Sequence, residues 1–457
     1  MLKTKHIWLR FKSFVISARS RKTGTVPGKS KAQKLQTLPA SNGPQVNAPL
    51  ENLPPEIRRV LLSTLELDEL SALVHASPVF HQQYLLDRRF ILCSSLQTTL
   101  REVTVDAYAV HLSSSSDFSK KRMRAIVDGF LARYRDLRSP AHHPALTEKL
   151  SEDEAVRMAV FFNSVLNPLV RHYVDFAWAN LAKESEFIPQ SHAEPVSRAE
   201  RVRLVRAFYR LELWFNLCGK LDDLPYASDL QIDRHYLPEL SERFVCLFEP
   251  WEVEELACIY AFAQDKYNQV FDAISSEVHP DNPRFDGQMR PPTPDGAFEL
   301  DNSWNREFLL EGTMARGIEL LHALIFKMKD LEHLVSTMQE KISRLGGAPA
   351  LGESWKEYEQ TARRDRGLSS RDEKQQRREP LPFTGDKPSD AHPPLAWTLI
   401  WKGTYSNLYG EYIPGELRSW GYVMWDAPRM ERTGACEVLA RQWETRWDYD
   451  DDPRDWM

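Results

Sequence analysis

Paired carboxylates near residue 252 are the side chains whose spacing most suggests acid–base chemistry. Glu252, Glu254 and Glu255 follow Pro250 at the start of a helical apolar pattern. Carboxylates act as general acids or bases beside a nucleophile or an orienting histidine, and the neighbouring sequence offers neither. Negative charge in the first turn of a helix is stabilised by the backbone dipole. We therefore predict that these glutamates belong to a helix start and catalyse no reaction.

Other catalytic signatures are incomplete or missing. The segment Thr23 to Ser30 suggests a phosphate-binding loop, but Thr23 stands where such a loop requires a glycine. That loop also needs a preceding strand and a following helix to aim its backbone donors. The sequence contains no dinucleotide fingerprint, no nucleophile elbow and no His-Glu-x-x-His motif. We predict no catalytic residue and no cofactor, although an active site built from distant residues would carry no local motif.

The cysteines favour an intracellular chain without a metal site. Their number is odd, and they stand far apart, mostly among apolar residues: Cys93, Cys218, Cys246, Cys258 and Cys436. No cysteine pair or cysteine–histidine group has the spacing of a zinc site. Disulfide frameworks are typical of small secreted domains, so this pattern indicates reduced thiols.

Helix signals dominate residues 97–346. Ser151 with Glu154, and Ser197 with Glu200, have the spacing of capping boxes, in which each side chain satisfies a backbone donor at a helix start. The two capping boxes therefore predict that helices start just after Ser151 and just after Ser197.

A long apolar stripe follows further along the chain. Apolar residues recur at threes and fours from Met314 to Leu345, and Gly346 offers a helix end. The stripe predicts one long helix, which either packs in a bundle or pairs with a second chain as a coiled coil.

The segment Leu53 to Leu96 has the most specific organisation in the chain. Pro54 and Pro55 suit a helix entrance, and Ser77-Pro78 disfavours helix at the residue before the proline. The apolar residues between and after these signals predict three short amphipathic helices. Three such helices are too small to bury this surface alone, so a partner or a larger body must cover the rest.

This segment resembles the F-box, in the divergent form found in a large group of filamentous-fungal proteins. The resemblance is carried by Leu53, Pro54, Glu56, Ile57, Leu61, Leu65, Leu67, Asp68, Leu70, Leu73, Val74, Ala76 and Ser77. It implies that the leading Leu-Pro and the first helix contact the adaptor subunit of a cullin-RING ubiquitin ligase. The implied contacts are Leu53, Pro54, Ile57, Leu61, Leu65 and Leu70. Where many F-boxes carry a tryptophan after the second helix, this chain has Pro78, Val79 and Phe80.

Charge separates the first fifty residues from the rest. Residues 1–50 hold ten Lys and Arg and no Asp or Glu, whereas residues 51–457 carry 49 basic and 65 acidic residues, a net charge of −16. The basic leader fits a mitochondrial transit peptide, a nuclear-import tail or a disordered arm without an address. The acidic body argues against nucleic-acid binding, which depends on neutralising phosphates. No stretch is apolar for long enough to predict a membrane-spanning helix.

Tryptophan is concentrated at the carboxyl end. Residues 395–457 hold seven of the thirteen tryptophans: Trp397, Trp401, Trp420, Trp425, Trp443, Trp447 and Trp456. One interpretation is an exposed recognition face in which Trp401, Trp420 and Trp425 bind a partner. The other is a clasp whose rings wedge between helices. Residues 347–394, which are charged and poor in apolar side chains, predict an exposed linker or insertion.

We therefore predict a mostly α-helical chain. Its parts are a disordered basic leader (1–50), an F-box-like three-helix module (51–112), an irregular helical bundle (113–346), the linker (347–394) and the tryptophan-rich segment (395–457). The resemblance implies a substrate receptor in the cytoplasm or nucleus that binds the ligase adaptor and an unknown protein target. The acidic body and the lack of a long apolar stretch predict no nucleic-acid partner and no membrane. The alternative is a non-catalytic helical scaffold whose F-box-like layer is core and binds no adaptor.

Overall fold

The computed structural model confirms a mostly α-helical fold. It describes residues 49–115, 117–118, 124–139, 144–185, 194–218, 236–287, 294–328, 330–342, 369–387, 392–448 and 452–456. The predictions for residues 1–48 and 347–368 lie outside these ranges. Within the ranges, the β pairing consists of one isolated antiparallel bridge between Pro380 and Thr404.

The helices are short in the first third of the chain and longer in the middle. The first ten are α1 (Pro55–Thr64), α2 (Leu67–Ala76), α3 (Pro78–Leu86), α4 (Arg88–Leu100), α5 (Thr104–Ser113), α6 (Arg124–Arg138), α7 (Leu146–Lys149), α8 (Glu152–Phe161), α9 (Asn167–Glu184) and α10 (Arg198–Cys218). The remainder are α11 (Tyr236–Val245), α12 (Pro250–Val278), α13 (Ser303–Met314), α14 (Ile318–Phe326), α15 (Leu331–Lys341), α16 (Ser370–Gln376), α17 (Leu395–Ile400), α18 (Gly415–Ser419), α19 (Ala427–Arg432) and α20 (Ala435–Arg446).

The chain forms two compact units whose boundaries differ from the predicted domains. The first unit combines Met1–Arg101 with Pro144–Asn163, and the second combines Glu102–His143 with Ser164–Met457. Helices α5 and α6 therefore belong to the second unit, although a module ending at residue 112 would include α5. The chain leaves the first unit and returns to it, which no local sequence signal indicates.

In the first unit, α4 is the central helix. It packs against α1, α2, α3, α7 and α8, and Ile91, Leu92 and Leu96 on it are buried. Ser77 caps α3 by accepting a hydrogen bond from the Phe80 backbone, and the α8 start has the predicted capping box of Ser151 and Glu154. Local capping and burial on α4 together define this unit.

In the second unit, α10 and α12 pack against each other at the centre. Both helices carry charged residues that are almost fully buried, among them Arg210 on α10 and Glu254 on α12. The predicted pair Ser197 and Glu200 satisfies both backbone donors at the α10 start. The longest helix among the described residues is α12, which has 29 residues.

The single long helix predicted from Met314 to Leu345 is wrong. Helix α13 ends at Met314, α14 spans Ile318–Phe326 and α15 begins at Leu331. The chain therefore turns after Met314 and again after Phe326. Gly317 adopts a φ of 99°, and the buried Glu212 carboxylate accepts a hydrogen bond of 2.8 Å from the Ile318 backbone. The Glu212 carboxylate, which lies on α10, thus caps the start of α14 at the point where the predicted long helix is interrupted.

Part of the predicted exposed linker is packed. Helix α16 begins with a Ser369–Asp372 capping box, and Arg371 and Asp372 are buried. Arg371 donates to the Phe248 carbonyl at 2.7 Å, and Asp372 accepts from the Asn407 amide at 2.8 Å. Hydrogen bonds to distant residues hold this segment, which apolar content alone could not predict.

No helix within the described ranges is long and apolar enough to cross a membrane.

Candidate docking site

Helix α1 carries its apolar stripe on the outside. Ile57 and Val60 are 50% and 59% exposed, and Leu61 on the same face is half-buried. Ile57, Val60, Leu61 and Thr64 stand at the spacing i, i+3, i+4 and i+7, which normally faces a core. The opposite side of the helix carries Leu62, which is fully buried. We call Leu53, Ile57, Val60 and Leu61 the α1 face.

Hydrogen bonds to α4 fix the orientation of α1. The Ser95 hydroxyl donates to the Leu65 carbonyl at 2.6 Å, and the Leu67 backbone donates to the Thr99 hydroxyl at 2.9 Å. These two bonds hold the α1–α2 connection on the α4 surface. With that end held and Leu62 in the core, the α1 face is directed away from α4.

The residues predicted to contact an adaptor do not all lie on the surface. Pro54 and Ile57 are exposed, and Leu53, Leu61 and Leu65 are half-buried. Leu70 is only 3% exposed, so its predicted direct contact is wrong. It lies on the inner side of α2 with Leu67 and Val74, which are also buried. Helical spacing places Leu70 with these core residues.

A shallow groove of about 290 Å³ lies at the α3–α4 corner of the same unit. Leu85 and Leu86 are exposed beside it, as is Phe90, and the lining comprises Leu85, Leu86, Asp87, Arg88, Arg89, Phe90, Thr147 and Glu152. Arg88 and Glu152 form an ion pair of 3.0 Å at its edge. The groove therefore combines an apolar rim with paired charges.

Sequence reasoning missed Leu85, Leu86 and Phe90 as surface residues. A signal was nonetheless present, because Phe80 and Tyr84 occupy one buried helix face at i and i+4. Leu85 and Leu86, one and two residues further on, are rotated away from that face.

Electrostatics around this corner do not produce a reactive group. Burial raises the pKa of the Cys93 thiol to about 11, against the opposing charge of Arg89, so the thiol is protonated at neutral pH. Burial likewise raises the pKa of Tyr84, which Arg88 partly offsets. The described side chains at this corner therefore offer apolar contact and an ion pair.

The carboxylates first considered for acid–base chemistry lie in the second unit and are paired with arginines. Glu252 accepts the predicted capping bond from the Glu249 backbone at 2.9 Å. Glu255 is bound by two nitrogens of Arg206, at 2.6 and 3.0 Å, and Glu254 by Arg418 at 2.9 Å. Burial raises the pKa of Glu255, while the Arg206 charge lowers it. Capping and a buried ion pair with Arg210 thus explain Glu252, and inter-element ion pairs explain Glu254 and Glu255.

The tryptophans predicted as partner-binding are buried. Trp401, Trp420 and Trp425 are each at most 1% exposed, so the prediction that they form an exposed recognition face is wrong. Trp401 packs edge-on against Trp397 and Trp443, with ring centroids 5.8 and 5.5 Å apart. The clasp interpretation describes these rings, because Trp side chains bury large areas and their rings prefer tilted contacts.

The second unit also has an open cleft of about 490 Å³. Arg138, Arg371 and Lys374 contribute positive charge to it, and Glu249 and Glu252 contribute negative charge. Arg138 is bound to the Leu247 carbonyl and to Glu252. The cleft therefore carries three positive and two negative side chains, and the Arg138 charge is already paired with Glu252.

No group of three or more His, Cys, Asp or Glu side chains is placed to hold a metal ion among the residues that the structure describes.

A scan against protein-family models and searches of curated proteins and of solved structures found no match to the chain.

Proposed function

We propose that this chain is an F-box-type substrate receptor, which docks on the adaptor of a cullin-RING ubiquitin ligase through the α1 face. The remaining helices of the chain would recruit a protein target. In this proposal the chain catalyses no reaction itself and acts by bringing two proteins together. It works in the cytoplasm or nucleus, where the ligase components are found.

The outward apolar stripe of α1 is the observation that carries the proposal. Ile57 and Val60 leave about half of their surface in water, which forgoes roughly half of the 1.5–3 kcal/mol that full burial of each side chain would contribute. A contiguous exposed apolar patch is typical of a protein-interaction surface. The stripe coincides with the Leu-Pro segment and first helix through which the resemblance implies adaptor binding.

The mode of contact supported by these residues is helix against groove. An amphipathic helix presents anchors at i, i+3, i+4 and i+7 to an apolar partner surface. Ile57, Val60 and Leu61 occupy the first three of these positions, and Leu53 precedes them. The hydrogen bonds from α4 hold α1 in place before binding, which reduces the entropy lost on association.

The scaffold alternative rests on a different observation. Leu62, Leu67 and Leu70 are buried within the same F-box-like segment, and α4 continues its packing onto α8. About half of the large apolar residues between Leu53 and Leu96 therefore belong to the core, whether or not the α1 face binds a partner. In this alternative the α1 face binds no adaptor.

Co-purification with the adaptor subunit distinguishes these functions. The intact chain should capture the purified adaptor, and Ile57→Glu combined with Val60→Glu should abolish capture without lowering the melting temperature. The matched control is Leu399→Glu, because Leu399 is an exposed leucine on α17 in the other unit. That variant should bind like the wild type.

Two results would reject the receptor proposal. Failure of the intact, folded chain to capture the adaptor would leave the scaffold function. Capture that survives the Ile57→Glu/Val60→Glu change would show that the α1 face is not the docking surface.

A further inference from the structure

Helix α13 exposes an aromatic pair on the second unit. Trp304 is 69% exposed and Phe308 is 43% exposed, while Leu309, Leu310 and Met314 on the same helix are buried. The two exposed rings meet edge to face, with centroids 5.2 Å apart. Exposure of so much of a tryptophan is uncommon, because its ring contributes a large apolar area when buried.

The helix that carries this pair is anchored from behind. The Asn302 side chain caps it by accepting from the Asn305 backbone at 3.2 Å. Arg306 donates to the Asn268 carbonyl at 3.0 Å and pairs with Asp272 at 2.7 Å. The exposed rings therefore stand on a helix held at its start and by its first turns.

Two carboxylates lie on the same side of the helix as the aromatic pair, Glu307 exposed and Glu311 half-buried. Glu307 and Glu311 lie four residues apart, and with Trp304 and Phe308 they follow the spacing of one helix face. Burial and the neighbouring Glu307 charge raise the pKa of Glu311 to about 7. Like charges four residues apart repel each other, so a cation brought to this face would stabilise both carboxylates.

We propose that Trp304, Glu307, Phe308 and Glu311, the α13 face, bind a basic amphipathic segment of a partner protein. Aromatic ring faces attract Lys and Arg side chains, and the two carboxylates attract the same charges. The apolar side of such a segment would cover the Trp304–Phe308 edge. This proposal rests on contacts of the second unit and stands independently of adaptor docking.

Other occupants match this chemistry less well. A two-fold pairing of α13 faces would bring Glu307 and Glu311 against their own copies, which like-charge repulsion opposes. Nucleic acid and other polyanions would meet the same two carboxylates. A purely apolar segment would leave both carboxylates without a counter-charge on binding.

The experiment uses the full chain and a labelled helical peptide of leucine and lysine at amphipathic spacing, with binding followed by fluorescence anisotropy. A peptide in which glutamate replaces every lysine is the charge control. We expect the Leu/Lys peptide to bind and the Leu/Glu peptide not to bind. Trp304→Ala with Phe308→Ala should weaken binding about tenfold or more.

Variants outside the face separate specific docking from general attraction to an acidic chain. Leu331→Ala removes an exposed leucine, and Glu373→Gln removes an exposed carboxylate, so both should bind the peptide like the wild type. Glu307→Gln with Glu311→Gln should weaken binding and leaves the aromatic pair intact. This second variant keeps the test valid if the double alanine variant melts early.

Three outcomes would overturn the proposal. The first is absence of binding by the Leu/Lys peptide, and the second is equal binding by the wild type and both α13 variants. The third is binding of the Leu/Glu peptide as strong as that of the Leu/Lys peptide, which would remove the charge argument.

Discussion

The Arg210 guanidinium lies 2.6 Å from the Glu252 carboxylate, and both side chains are almost completely excluded from solvent. Arg210 also binds Asp106 at 3.0 Å, and Asp106 accepts a hydrogen bond from Tyr134. One side chain of α10 thereby joins α12, α5 and α6. Such a pair is neutral as a unit, but either partner alone would be a buried charge.

Removing Arg210 should therefore be severely destabilising. Arg210→Met leaves Glu252 and Asp106 buried without this counter-charge, and we expect a loss of about 3–5 kcal/mol in the free energy of unfolding. Urea denaturation followed by circular dichroism measures it. The control is Arg441→Met, which removes an exposed pair with Glu184 at 2.9 Å and should cost less than about 1 kcal/mol. Similar losses in both variants would contradict the assigned role.

The two sides of α1 should respond differently to truncation. Leu62→Ala creates a cavity in the first unit and should lower the free energy of unfolding by about 2–5 kcal/mol. Ile57→Ala shortens an exposed side chain and should change it by about 0.5 kcal/mol or less. Thermal melts of both variants measure this contrast. If Ile57→Ala were as destabilising as Leu62→Ala, the outward orientation of the α1 face would be wrong.

Gly421 should tolerate no side chain. Its φ is 69°, and a Cβ there would collide with the Tyr173 hydroxyl. Gly421→Ala should therefore cost more than Gly403→Ala, because Gly403 has a similar φ of 72° but open space around it. We expect about 1–2 kcal/mol for the control, from the left-handed backbone alone. Denaturant titration compares the two.

A second change tests the cause of the Gly421 effect. Tyr173→Phe removes the colliding oxygen, so combining it with Gly421→Ala should recover part of the lost stability. If the two losses were simply additive, the close approach of Tyr173 would not explain the requirement for glycine.

His322 should make stability depend on pH. Burial lowers its pKa to about 4, with a smaller contribution from Lys327. Between about pH 6.5 and 4 the unfolded chain then binds more protons than the folded chain, so stability falls as the pH falls. His172, whose pKa burial also lowers, acts in the same direction.

The measurement is the melting temperature from pH 7.0 to 5.0 for the wild type and for His322→Leu. The variant should lose less stability than the wild type across this interval, with His172 accounting for part of the remaining slope. Equal slopes in the two proteins would show that His322 titrates normally in the folded state.

Local signals predicted the parts of the fold that depend on neighbouring residues. The capping boxes at Ser151 and Ser197 begin α8 and α10, and Ser77-Pro78 separates α2 from α3. These features involve side chains and backbone groups within four residues of each other. A pattern of that range is complete in the sequence.

The candidate docking site could be predicted only in part, because its orientation depends on contacts between residues that are far apart in the sequence. Periodicity identifies an apolar stripe through Ile57 and Leu61, but it does not say whether that stripe or Leu62 faces a core. Two hydrogen bonds decide this: the Ser95 hydroxyl donates to the Leu65 carbonyl, and the Leu67 backbone donates to the Thr99 hydroxyl. Each joins residues about thirty positions apart.

The sequence by itself determined that this chain is mostly helical, where several helices begin, and which segment resembles an F-box. Only the tertiary structure decided that Trp401 is core, that Glu255 pairs with Arg206, and that Trp304 is exposed. Helix starts are set by hydrogen bonds within one turn. Burial and ion pairing depend on which distant surfaces meet, and residue type alone does not encode that choice.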